Sequence, residues 1–241
     1  MRGIDVSTFQ GNIDWQKVKQ SGVEFAIIKA TQGRSVTSSA HLFTDSKFVK
    51  NINGATAAGI PCGVYHYLTA ASIAEAKQEA DYFLSRIAPY KQKITLWAAV
   101  DVEEDRYLPR DKTALTAVVN AFCERVQAAG YRPMVYTNPN YLRYRLNGIG
   151  QWELWLALWR SKSKVPTAKE YPNMKIWQYG GETVSGVSGQ VDSNLGFFEL
   201  PEPDYASLVC ARCGLEPQTR AYLDGYTWAR DLWRKLWDAM S

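Results

Sequence analysis

The chain has 241 residues, 46% hydrophobic and 22% charged, with a formal net charge of +4. That length suits one large domain, or a domain with an appendage, and can enclose a sizeable core. Charges of both signs are interspersed, which argues against a nucleic-acid binder, and no apolar run is long enough to span a membrane.

The start, "MRGIDVSTFQ", has no charged segment followed by an apolar one, so no secretory signal peptide is expected and the chain reads as made in the cytoplasm. Cys62, Cys123, Cys210 and Cys213 sit in a chain too large to need disulfide staples, which fits folding in a reducing compartment. Nine Trp and fourteen Tyr tilt the composition towards carbohydrate, because aromatic rings stack on sugars as well as filling cores.

"RGIDVS" (2–7) predicts a strand, followed by a helix over Trp15–Gln20. "EFAIIKAT" (24–31) predicts a second strand, with a helix over roughly 44–58, and "PCGVYHYL" (61–68) a third. The next helix, "SIAEAKQEADYFLSRI" (72–87), carries a capping-box pattern in Ser72 and Glu75. "ITLWAAVDV" (94–102) is a fourth strand, "KTALTAVVNAFCERVQAAG" (112–130) a helix closed by Gly130, and "RPMVYTN" (132–138) a fifth strand. Beyond Tyr136 the runs "ELWLALW" (153–159), "NMKIWQYG" (173–180) and "VSGQVDSN" (187–194) follow too closely for full strand–helix units. Alternating strands and helices predict a parallel sheet with helices outside. Eight strands with helices after about the first five predict a TIM-like α/β barrel variant: five βα units, then three strands.

"LPEPDY" (200–205) reads as a linker. Past it, Tyr222, Tyr226, Ala229, Trp233, Leu236 and Met240 recur in steps of four and three, one apolar stripe on a helix. The sequence thus predicts a barrel over 1–200 and a linker with a C-terminal helical extension over 201–241. Docking, self-association through that helix and contact with the cell envelope are its candidate roles.

A β/α barrel carries its site at the C-terminal strand ends. Residues two apart on a strand share a face. Asp5 therefore faces away from Ile4 and Val6, Asp101 and Glu103 share the face opposite Val100 and Val102, and Asp192 shares a face with Asn194. Glu104 and Asp105 read as a solvated pair on the loop beyond. Crowded acids on an inner face are costly without a task, and their repulsion raises at least one pKa. Such a set suits glycosidic hydrolysis, with one acid protonating the leaving oxygen and another stabilising positive charge. A divalent cation site is the rival reading, weakened because neither His41 nor His66 lies at ligand spacing. No cofactor is expected. "CARCG" (210–214) is half of a zinc signature without a second half, and reads as a helical turn with two packed thiols.

The same residues carry a resemblance. "DVSTFQGNIDW" (5–15), "FAIIKATQG" (25–33), "AAGIPCGVYHY" (57–67), "AVDVE" (99–103), "VYTN" (135–138), "IWQYG" (176–180) and "GVSGQVDSN" (186–194) resemble, in order and spacing, the glycoside hydrolase family 25 muramidases, the Chalaropsis-type lysozymes that include phage endolysins. The resemblance covers about residues 1–200. It implies hydrolysis of the β-1,4 bond between N-acetylmuramic acid and N-acetylglucosamine in bacterial peptidoglycan. By motif, Glu103 resembles the general acid, Asp101 its partner, and Asp5 and Asp192 the outer carboxylates. Attack by a protein carboxylate and assistance by the substrate's acetamido group both remain open. Tyr65, Tyr136 and Gln178 are candidate substrate contacts. Gln32 stands where the family often has Glu, and Trp155, Ala157 and Trp159 keep the family's sixth-strand pattern. Catalytically silent binding of wall glycans and cleavage of chitin-like polymers are the alternatives. A substrate outside the cytoplasm implies release by lysis or through a membrane pore.

Overall fold

The computed structural model describes residues 1–34, 42–200, 202 and 204–240. His41, and Pro201 and Pro203 of the expected linker, lie outside the described residues. The chain divides into two compact units, Met1–Glu199 and Leu200–Ser241.

In the first unit the elements run β1 (Arg2–Val6), α1 (Trp15–Gln20), β2 (Phe25–Gln32), β3 (Phe43–Thr44), α2 (Phe48–Ala57), β4 (Cys62–Tyr67), α3 (Ile73–Ile87), β5 (Ile94–Asp101), α4 (Lys112–Ala128), β6 (Pro133–Thr137), β7 (Glu153–Ala157), β8 (Met174–Thr183) and β9 (Gln190–Gly196). Neighbouring strands from β1 through β8, leaving out β3, pair in parallel. β9 pairs antiparallel with both β8 and β1 and closes an eight-stranded barrel. β3 is a two-residue strand on the end of β2.

Two details depart from the expected rhythm. The fifth βα unit has no full helix, because β6 is followed by a single five-residue π-type turn at Tyr141–Arg145. The last strand runs against the others. The link from β8 to β9 is too short for the crossover that a parallel partner needs, and Gly186 and Gly189, at φ 93° and 78°, turn it back.

The barrel interior is filled from below. The Phe198 ring stands edge-on to Trp97 (4.6 Å between centroids) and to Phe25 (5.3 Å). Space for these rings comes from glycines: a Cβ on Gly3 would sit 2.3 Å from the Phe25 ring, and one on Gly196 2.6 Å from Phe198. Arg132 covers Trp97, and Glu153 accepts from both the Trp97 indole and the Arg132 guanidinium. Outside the barrel, Ile4, Val6, Val100 and Val102 pack under the helices, as strand alternation requires. His66 faces this layer and is buried, its ring between Thr31 Oγ1 (2.7 Å) and Glu79 Oε2 (2.7 Å).

The second unit holds α5 (Tyr205–Cys213), α6 (Pro217–Asp224) and α7 (Ala229–Met240). Asp204 caps α5 by accepting from Ser207 N, and left-handed Gly214 ends it. Ala206, Val209 and Trp233 form its core. The single expected stripe is divided between α6 and α7, because the chain turns at Gly225, a weak helix former, and Asp224 accepts from the Trp233 indole (2.7 Å). Trp233 is buried while Tyr222 and Tyr226 are exposed. Cys213 is also exposed, so the expected pair of packed thiols is only half present at Cys210.

Candidate active site

The open end of the barrel collects polar side chains from most of its strands. Asp5 is buried, and its Oδ2 accepts from Asn194 Nδ2 (2.8 Å) and Gln178 Nε2 (3.0 Å). Gln178 Oε1 in turn accepts from the Tyr136 hydroxyl (3.0 Å) and the Trp159 indole (3.0 Å). Asn194 Oδ1 accepts from the Trp155 indole (2.8 Å). Both amides therefore have fixed orientations, their NH₂ groups aimed at Asp5. Trp155 lies between Tyr136 (4.5 Å between centroids) and Tyr65 (5.9 Å).

Asp101 ends β5 and is buried, and no donor among the described residues reaches its Oδ1. A buried acceptor without a partner is costly and marks a place where a proton or a ligand's donor belongs. Glu103 lies two residues further on, exposed at the mouth. Asp192 faces Asp5 directly across the β1–β9 pair.

Desolvation and mutual repulsion push these acids upward. Burial raises Asp5 to about 7, helped by the charge of Asp192 and opposed by the Asn194 and Gln178 hydrogen bonds. Burial, then the Glu103 charge, pushes Asp101 well above the carboxylate range. Glu103 is raised by loss of solvent and opposed by a hydrogen bond from Tyr136. Burial also raises Asp192. Tyr65 and Tyr136 are pushed upward by burial and then by these acids, so both phenols remain donors.

Every predicted site residue thus reaches one rim: Asp5, Asp101, Glu103 and Asp192, with Tyr65, Tyr136 and Gln178 among them. Asp192 arrives differently from the expectation, near the start of an antiparallel strand and not at its end. Glu104 and Asp105 stand apart. Asp105 takes hydrogen bonds from Tyr141 (2.8 Å) and Arg145 (2.5 Å), which hold it below its ordinary value and tie the loop after β5 to the turn after β6.

Sequence reasoning missed Lys29 and the donor role of Asn194 and Trp159. Lys29 had a signal: it lies two residues from Ile27 on β2, so alternation turns this cation inward. Among the described residues no group of three or more His, Cys, Asp or Glu could hold a metal, and the site offers no imidazole beside its acids.

Residues 4–187 match the family described as Glycosyl hydrolases family 25. The chain is 32% identical over 209 residues to "Lysozyme M1" of Streptomyces globisporus, an alignment covering 80% of this chain and 67% of the relative. It is 31% identical over 212 residues to "N,O-diacetylmuramidase" of Chalaropsis sp, covering 80% and 96%. Its fold is similar to the bacterial lysozyme of Streptomyces coelicolor, with TM-score 0.67 and 30% identity over 83% of this chain and 93% of that one. The chain belongs to glycosyl hydrolase family 25, an enzyme family with barrel-fold lysozymes among its members.

Proposed function

We propose that this chain is a muramidase that hydrolyses the β-1,4 bond between N-acetylmuramic acid and N-acetylglucosamine in bacterial peptidoglycan. The observation that carries the reading is the acid pair at the rim, one carboxyl exposed and one buried with its Oδ1 lacking a partner among the described residues, in a family 25 barrel. Glu103 is accessible and pushed upward by loss of solvent, the direction that suits the proton donor to the leaving oxygen. Asp101, with its unpartnered Oδ1, faces the developing positive charge or orients an assisting acetamido N–H. Asp5 and Asp192 shape the pocket between them. Tyr65 donates to the sugar, Tyr136 contacts it with its ring and hydroxyl oxygen, and Gln178 holds Tyr136 and Asp5 in register. Residues 1–200 carry this reaction. The substrate places it on the wall outside the cytoplasm, reached after lysis or through a membrane pore; no described helix is long and apolar enough to cross a membrane.

The test is digestion of purified bacterial walls with mass spectrometry of the fragments. New reducing-end muramic acid is expected. New reducing-end N-acetylglucosamine, or no cleavage at any pH from acid to neutral, would overturn the reading, the second outcome leaving a barrel that only binds glycans.

A further inference from the structure

Glu103 stands on backbone that no strand fixes. β5 ends at Asp101, and the chain is irregular from there until α4 begins at Lys112. A side chain on such a segment keeps its direction only if something else holds the backbone. For a proton donor this matters, because a misplacement of about 1 Å can cost roughly a hundredfold in rate.

Two fixed points bracket Glu103. On the near side Val102 is tied to β6 twice: its N–H donates to Tyr136 O (2.9 Å), and its carbonyl accepts from Thr137 Oγ1 (2.7 Å). On the far side Asp105 Oδ1 accepts from both Tyr141 Oη (2.8 Å) and Arg145 Nη1 (2.5 Å). Both donors come from the π-type turn after β6, which Leu146 N closes by donating to Tyr141 O (2.9 Å). The turn lays the Arg145 guanidinium over the Tyr141 ring, 4.9 Å from its centre, so phenol and guanidinium reach one oxygen together.

The turn is the anchored side and the loop the held side. The Arg145 side chain is 16% exposed against 66% for Asp105. Tyr141 is buried, and its N–H donates to Asn138 Oδ1 (3.1 Å) just beyond β6. Arg145 also donates from Nη2 to Pro109 O (3.0 Å), and Lys112 Nζ donates to Arg143 O (2.8 Å), so the same turn grips the loop again further along. An exposed ion pair adds little stability, whereas a guanidinium fork fixes geometry, and π-type turns recur at functional sites. We propose that Asp105, Tyr141 and Arg145 form a clamp that positions Glu103 for proton transfer, acting through the loop backbone. The inference rests on the muramidase reading, which makes Glu103 the proton donor. It gives Asp105 a task where the sequence pattern shows only a solvated acid.

The experiment compares wall cleavage by wild type, Asp105→Ala, Asp105→Asn, Arg145→Ala and the double variant Asp105→Ala/Arg145→Ala, each also in a Glu103→Gln background. In Asp105→Ala and Arg145→Ala the maximal rate should fall at least about tenfold, with the half-saturating wall concentration within about twofold of wild type. Asp105→Asn keeps an acceptor for both donors and should recover most of the rate. The double variant should lose no more than the worse single one, since either change opens the same clamp. In the Glu103→Gln background none should cost anything further, because no proton remains to be placed, whereas a loss through disturbed folding or binding would persist there. Asp105→Ala leaves Arg145 on Tyr141 and Pro109, so it still isolates the clamp if Arg145→Ala fails to fold. An unchanged maximal rate in Asp105→Ala, or equal proportional losses with and without Glu103, would overturn the proposal. Wild type that cleaves no walls overturns the muramidase reading and the clamp with it; wild type that cleaves normally beside unaffected variants overturns the clamp alone.

Discussion

Gln178 bears no charge, yet it fixes where a carboxyl and a phenol stand. Its oxygen is occupied by Tyr136 and Trp159, which forces its NH₂ onto Asp5. Asp5 still ionises with difficulty, at about 7 against 3.8 for a free side chain. Between those values the folded chain holds a proton that the unfolded chain has released, so stability falls as pH rises through the window. Above it the full cost of a buried charge facing Asp192 is present. Asp5→Asn lacks that cost, and calorimetry should find it melting about 5 °C higher than wild type above the window, an advantage that vanishes below it. An advantage independent of pH would mean that packing, not charge, is responsible. The acids were legible because a strand has a period of two: Asp5, Asp101 with Glu103, and Asp192 each sit opposite valines that the helices cover. Gln178, Tyr65 and Tyr136 came from the family resemblance, since an uncharged polar residue at a strand end carries no distinctive pattern. Lys29 was overlooked because one lysine in an apolar run reads as a strand edge.

At the scale of elements, β9 shows how a correct placement can follow from an incomplete premise. Strand–helix alternation predicts further strands from the last runs without fixing their direction, and a site at C-terminal strand ends predicts Asp192 near the end of one. Direction depends on the link, and the link is too short for a crossover. An antiparallel strand starts where its neighbours end, so Asp192 reaches the rim anyway. Gly186 holds that link: its φ is 93°, a Cβ there would sit 2.3 Å from Asp14 O, and its carbonyl accepts from Asp14 N at 2.8 Å. Gly189, at φ 78°, has open space around it. Gly186→Ala should therefore destabilise by about 2 kcal/mol more than Gly189→Ala, because it adds a backbone clash to the same positive-φ strain. Chemical denaturation compares them, and equal losses would show that the contact with the cap of α1 yields freely. The C-terminal stripe failed for a related reason. Periodicity in steps of four and three continues across Gly225, but a helix does not have to, and the Asp224–Trp233 hydrogen bond favours the turn.

At the scale of the whole molecule, one end of the barrel is plugged and the other is chemical. Phe25, Trp97 and Phe198 fill the floor, which leaves the rim as the face where a polymer can meet the acids. The unit from Leu200 onward has its own small core around Trp233 and carries none of the rim carboxyls. On the proposed reading, turnover depends on one proton on one side chain, Glu103, at the mouth of the first unit. Glu103→Gln keeps the shape of that side chain and removes the proton. Release of reducing ends from bacterial walls, measured for this variant and wild type at equal melting temperature, should fall by a factor of at least about a hundred, the scale of a lost general acid. A folded Glu103→Gln enzyme that kept more than about a hundredth of wild-type turnover would contradict the account.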